Sequence, residues 1–121
     1  MVVNSCITVF HKTIDEQTRL ETWQRFNYGT KDNYTVWSHG AKIAKINKGF
    51  TDNDNIKIRV PYELNENLDI NNFSLEDIII IDEITSDIES QQDLIGYDIL
   101  KITSLTNDNF GNNPHIYIGV Q

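Results

Sequence analysis

Apolar and polar positions alternate with a period of two along much of the chain, the pattern of strands with one buried face. Ile56-Lys57-Ile58-Arg59-Val60 is the clearest case, apolar and basic by turns. Pro61 follows at its end, where a missing N–H is tolerated. Ile7-Thr8-Val9-Phe10 is short and β-branched and predicts a strand. Thr18 to Tyr28 fits two periods. Leu20, Trp23 and Phe26 recur at helical spacing, but strand-preferring Thr18, Thr22, Trp23, Phe26 and Tyr28 favour a strand. Tyr28 to Asn33 carries turn residues, so Tyr34 to Ser38 is expected to return as the second strand of a hairpin.

Further on, Ala41 to Lys48 alternates weakly and suits a strand or a short helical turn. Thr51 to Asn55 is a polar loop, and Glu63 to Asn72 is acidic, Asn-rich loop. Leu75 to Asp82 contains the run Ile78 to Ile81, expected as a strand buried on both faces. Ile84 to Leu94 is polar with few apolar residues and suits a long loop or a short helix. Tyr97 to Leu105 and Ile116 to Val120 are strands, separated by turn-rich Thr106 to Pro114. The pattern predicts an all-β fold, a small antiparallel β-barrel or sandwich of about six to eight short strands with one long polar loop. At 121 residues the chain is one domain, spanning 1–121.

Charge narrows the partners. The formal net charge is −8, from 10 basic and 18 acidic residues. Nucleic-acid coating depends on clustered Lys and Arg, and the densest basic stretch is only Lys42, Lys45 and Lys48. An acidic surface near DNA instead lets a duplex pass without adhering. The single cysteine, Cys6, excludes a disulfide framework within the chain and suits a reducing compartment. The N-terminal residues lack a signal-peptide pattern, and no apolar run approaches the ~20 residues of a membrane span. Eighteen Ile and fourteen Asn point to an AT-rich genome.

The candidate chemistry is thin. His11, His39 and His115 are too dispersed for zinc-ligand spacing. Cys6 would need His11 as a base to act as a nucleophile, and nothing marks an orienting group or an oxyanion hole. Asp52, Asp54 and Glu63 faintly echo a calcium loop, but Ile56 and Lys57 fall where an oxygen ligand and a turn Gly are required. Neighbouring carboxylates at Asp15-Glu16, Glu76-Asp77 and Asp82-Glu83 are what any acidic chain offers, and no Gly-rich phosphate loop occurs. No cofactor or metal is expected, and no enzymatic activity. The aromatic group Trp23, Phe26, Tyr28, Tyr34 and Trp37 reads as core, or else as an exposed protein-binding face or base-stacking platform.

A set of spaced fragments carries a resemblance. They are Ile7 to Thr13 and Thr18 to Trp23, then Ile56 to Pro61 and Glu76 to Ile79, then Tyr97, Ile99, Lys101 to Leu105 and Asn109 to His115. This layout resembles a family of small phage and prophage proteins of low-GC Gram-positive bacteria, encoded in the head-to-tail part of the structural gene cluster. In one place the chain departs from it: Glu76-Asp77 stands where the pattern would have Gly-Asp, which alters a turn. The resemblance implies a neck role, similar to head-completion or stopper proteins. Those are small β-barrels that form a homo-oligomeric ring, meet portal or adaptor proteins on one side and tail proteins on the other, and close the DNA channel. It implies residence in the virion, DNA passing nearby without specific binding, no membrane, and no catalytic residues. A tail-completion or minor tail protein follows the same barrel logic. An acidic inhibitor-type binding module is the reading from another class, although the acidic residues here are interspersed with Lys and Arg. Within the neck reading, the polar stretch Asp82 to Gly96 is the expected channel-facing loop, with Asp82, Glu83, Asp87, Glu89, Gln91, Gln92 and Asp93 as its polar side chains.

Overall fold

The computed structural model describes residues 2–40 and 56–121. The expected strand or turn at Ala41 to Lys48 and the loop at Thr51 to Asn55 lie outside the described residues, as do Asp52 and Asp54. The described chain forms seven strands: β1 (Ile7–Ile14), β2 (Glu21–Tyr28), β3 (Trp37–Gly40), β4 (Ile56–Pro61), β5 (Ile78–Ile80), β6 (Leu100–Asp108) and β7 (His115–Val120). They make one antiparallel sheet in the order β2-β1-β5-β6-β7-β4-β3.

The fold is therefore all-β, as the alternation predicts, but the sheet does not close into a continuous barrel. The segment before β1 meets the segment before β3 at one isolated bridge, Ser5 with Val36, and β2 takes no part in it. The Asn4 side chain extends that seam by one rung. Its Nδ2 donates to the Ser38 carbonyl at 2.9 Å and its Oδ1 accepts from the Ser38 N–H at 2.8 Å. A side-chain amide thus stands in for a strand's backbone.

The hairpin expected between β2 and β3 is not formed. The turn itself is present, with Thr30 and Asn33 exchanging backbone hydrogen bonds. Beyond it the chain leaves β2 and pairs with β4, Trp37 opposite Arg59 and Gly40 opposite Ile56. The hairpin partner of β2 is β1, in an eight-pair ladder from Ile7 opposite Tyr28 to Ile14 opposite Glu21. The departure from β2 depends on Gly29, at φ +82°, where an added Cβ would lie 2.9 Å from Thr35 Oγ1. Buried Asn65 then fixes the next residues: its Nδ2 donates to the Thr35 and Pro61 carbonyls, and its Oδ1 accepts from Thr35 Oγ1. In β6 the strand runs on to Asp108, through residues expected as turn, with a bulge between Ile102 and Ser104.

Two cores result. The inner one gathers alternate residues of every long strand, among them Ile7, Val9, Ile58, Val60, Ile79, Ile102, Ile116 and Ile118. The second lies on the opposite face of β1 and β5, where Phe10, Ile78 and Ile80 pack against Ile84, Ile88 and Leu94 from the polar stretch. Ile78 to Ile80 is thus buried on both faces, as the isoleucine run predicts, because the stretch after it folds back over the sheet.

Glu76 sits at φ +73°, in the left-handed region that favours glycine. It is also the position where the resemblance leads one to expect Gly. Glu76→Gly is expected to stabilise the fold by about 1 kcal/mol, the ~1–2 kcal/mol of relieved strain less the greater chain entropy of glycine. Thermal and denaturant unfolding of the variant check this.

Candidate functional site

The expected channel-facing residues occupy a loop with its own apolar anchor. Thr8 Oγ1 pins its root, donating to the Asp82 carbonyl at 2.9 Å and accepting from the Ile84 N–H at 3.0 Å. Asn27 Nδ2 reaches both Thr8 Oγ1 and the Ile84 carbonyl. Ile84, Ile88 and Leu94 are buried and hold the loop against the sheet. A single 3-10 turn, Gln91–Leu94, closes it.

The seven polar side chains divide into two groups. Asp82, Glu83, Asp87 and Asp93 have structural duties. Asp82 Oδ1 accepts from the Glu83 N–H and lies 3.7 Å from Lys31 Nζ, and Glu83 Oε1 accepts from the Lys31 N–H. Asp87 pairs with Arg25 Nε at 2.9 Å while remaining exposed, and Asp93 Oδ2 accepts from the Glu89 and Ser90 N–H groups. Glu89, Gln91 and Gln92 are exposed. The signal for the anchor was present in the sequence: Ile84, Ile88 and Leu94 are spaced apolar residues in an otherwise polar stretch.

Other candidate residues are dispersed. Cys6 is buried, and burial, followed by Asp82 and Glu83, raises its thiol pKa. His11 lies five extended residues further along, about 16 Å at strand rise, so the two cannot form a nucleophile–base pair. His11 instead meets buried Asp77, Nδ1 to Oδ2 at 2.6 Å. The same carboxylate accepts from the Lys12 N–H at 3.1 Å and the Ser74 N–H at 2.8 Å. Among the described residues, no cluster of three or more His, Cys, Asp or Glu is arranged to hold a metal ion, and no helix is long and apolar enough to cross a membrane.

The aromatic group is split between core and surface. Tyr28 is buried and stacks on Phe73 at 5.6 Å, Phe26 packs against the inner core, and Trp23 against the second. Tyr34 is exposed. Trp37 lies on the outer face beside Arg59, whose guanidinium carbon is 4.7 Å from the Trp37 ring and 5.2 Å from the Tyr117 ring.

Burial pushes the Tyr28 hydroxyl from 10 up to about 12; Asn72 lowers it and Asp69 raises it further. Between these pH values the unfolded chain ionises first, so the stability present below pH 10 falls as pH rises to about 12. Two units correspond to roughly 2–3 kcal/mol. Tyr28→Phe is expected to flatten this part of the stability–pH curve, measured as its difference from wild type.

The fold and surface define a small all-β domain with a loop-covered sheet and an aromatic–cation row on its outer wall. The chain belongs to a family of unknown function, DUF6751, matched over residues 2–121. No curated protein and no solved structure matches it.

Proposed function

We propose that this chain is a structural subunit of a phage neck, forming a homo-oligomeric ring between the DNA-filled head and the tail and helping to close the DNA channel. The reading starts from the resemblance of the strand and turn motifs. One structural observation carries it further: β2 is an eight-residue strand at the end of the sheet, with no neighbour beyond it among the described residues. Its sequence, Glu21-Thr22-Trp23-Gln24-Arg25-Phe26-Asn27-Tyr28, contains no Lys, Pro or Gly, and its ladder with β1 is free of bulges. Monomeric proteins blunt such edges, because an open row of N–H and C=O groups is a template for another strand. In a ring the neighbouring copy covers the edge, and the contact repeats until symmetry closes it.

The charge supports the same reading. A subunit of net charge −8 makes a wall past which DNA phosphates move without adhering. The loop over 82–96 supplies the channel-facing surface, with Glu89, Gln91 and Gln92 outward and the remaining acidic groups holding its shape.

Disrupting the reading frame in its phage or prophage and imaging the induced lysate by negative-stain electron microscopy tests the proposal. Full heads beside complete, unattached tails are expected. Aberrant or absent tails beside normal heads would make the chain a tail-completion or minor tail protein. Normal infectious particles would overturn both.

A further inference from the structure

The outer face of β3, β4, β7 and β6 carries a row that no structural duty accounts for. Trp37, Arg59, Tyr117 and Thr106 lie side by side across β3, β4, β7 and β6. Arg59 is held between the Trp37 and Tyr117 rings. Its Nε is buried without an acceptor, an arrangement that stability alone disfavours. Lys57, exposed, and His39, its cross-strand partner, form the adjoining row. Asp108 lies at the other end of the face, 3.8 Å from His115 Nε2.

Three of the described basic residues find acids, whereas Arg19, Lys57, Arg59 and Lys101 do not. Lys12, Arg25 and Lys31 each have a carboxylate within reach, at 3.4, 2.9 and 3.7 Å. Arg59 and Lys57 have no such partner among the described residues, in a chain with eighteen acidic residues to ten basic. An aromatic-clamped guanidinium has lost its side-chain freedom in advance. With its flat faces against two rings and its Nε buried, the half-buried guanidinium has its Nη N–H groups left as the donors that suit a carboxylate.

We infer that this face binds the carboxylate groups of an acidic segment of a partner protein, with Arg59 as the fork and Lys57 as the flanking charge. Trp, Tyr and Arg are also the residue types that dominate binding energy at protein interfaces. A nucleic acid fits less well. The Trp37 ring is already in contact with Arg59 and His39, and the Tyr117 ring with Arg59 and His115. That leaves little free aromatic surface for a base.

The test uses the isotope-labelled full chain titrated with hexaglutamate and followed by NMR at the Trp37 indole N–H and the Arg59 Nε–H. Saturable shifts at these two groups are expected by about millimolar peptide at low salt. Arg59→Lys, which keeps the charge and loses the fork, is expected to weaken binding about tenfold or more, and Lys57→Ser to weaken it less. The Trp23 indole signal, in the second core, reports that each variant is folded. Shifts that never saturate, or that persist in Arg59→Lys, would overturn the inference. A stronger response to a hexathymidylate would overturn it in favour of nucleic acid. Loss of these signals on concentrating the chain alone, reversed by Arg59→Lys, would overturn it in favour of a second copy. None of these outcomes depends on the microscopy that tests the neck assignment.

Discussion

Replacing Asp77 by alanine is expected to cost about 3–5 kcal/mol of stability. The carboxylate is 2% exposed and accepts from His11 Nδ1, the Lys12 N–H and the Ser74 N–H. Two of these donors are backbone groups on separate segments, so one side chain ties β1 to the turn that leads into β5. Removing it orphans three donors at once and leaves a small void. For a domain of this size the loss corresponds to a fall in Tm of roughly 10–20 °C, measured by circular dichroism. Asp77→Asn keeps the shape but turns an NH2 group toward a donor, and is expected to fall between alanine and wild type. A loss below about 1 kcal/mol in Asp77→Ala would mean that the three donors find water or other acceptors.

Phe10→Ala is expected to cost a comparable 3–5 kcal/mol, but with a different spatial signature. Phe10 is fully buried, yet it belongs to the second core, beneath the loop, and not to the inner one. Its removal takes the floor from Ile84, Ile88 and Leu94. Amide hydrogen exchange over 84–95 is therefore expected to accelerate more than the global loss of stability requires. Amides of Ile116 to Val120, in β7 of the inner core, should follow the global loss alone. Uniform acceleration across both regions would show that the loop and sheet open as one unit.

The two cores differ in how far the sequence disclosed them. The alternation of Ile56 to Val60 and the position of Pro61 defined β4 and its buried face without ambiguity. The isoleucine run from Ile78 announced a strand covered on both sides, though not what covers it. Neighbour relations were less legible. A turn after β2 ordinarily returns the chain onto β2, but Gly29, Thr35 and Asn65 redirect it, and the Thr35–Asn65 hydrogen bonds join residues 30 positions apart. The pairing of His11 with Asp77 spans 66 positions. The period of two also placed Arg59 on an outward face. It could not set Trp37 and Tyr117 beside it, because that requires the registers of β3 against β4 and of β4 against β7. Sequence pattern reports which way a side chain faces, whereas a site depends on what faces it from other strands. The acidic loop was legible as polar and long. Its root is held by Thr8 and Asn27, two polar residues of β1 and β2 whose hydrogen bonds to the loop only the fold brings about.

Glu76 connects the sequence and structural readings most closely. The substitution of Glu for an expected Gly, seen as a change of turn, coincides with a backbone at φ +73°.

The central claim, a ring subunit at the neck, is tested most directly by a cryo-electron microscopic reconstruction of the intact particle. The expected result is a ring of this seven-stranded domain between head and tail, with β2 against a neighbouring copy and the loop over 82–96 directed at the axis. A neck whose density is wholly accounted for by other chains, or a ring with that loop on its outer surface, would contradict the account.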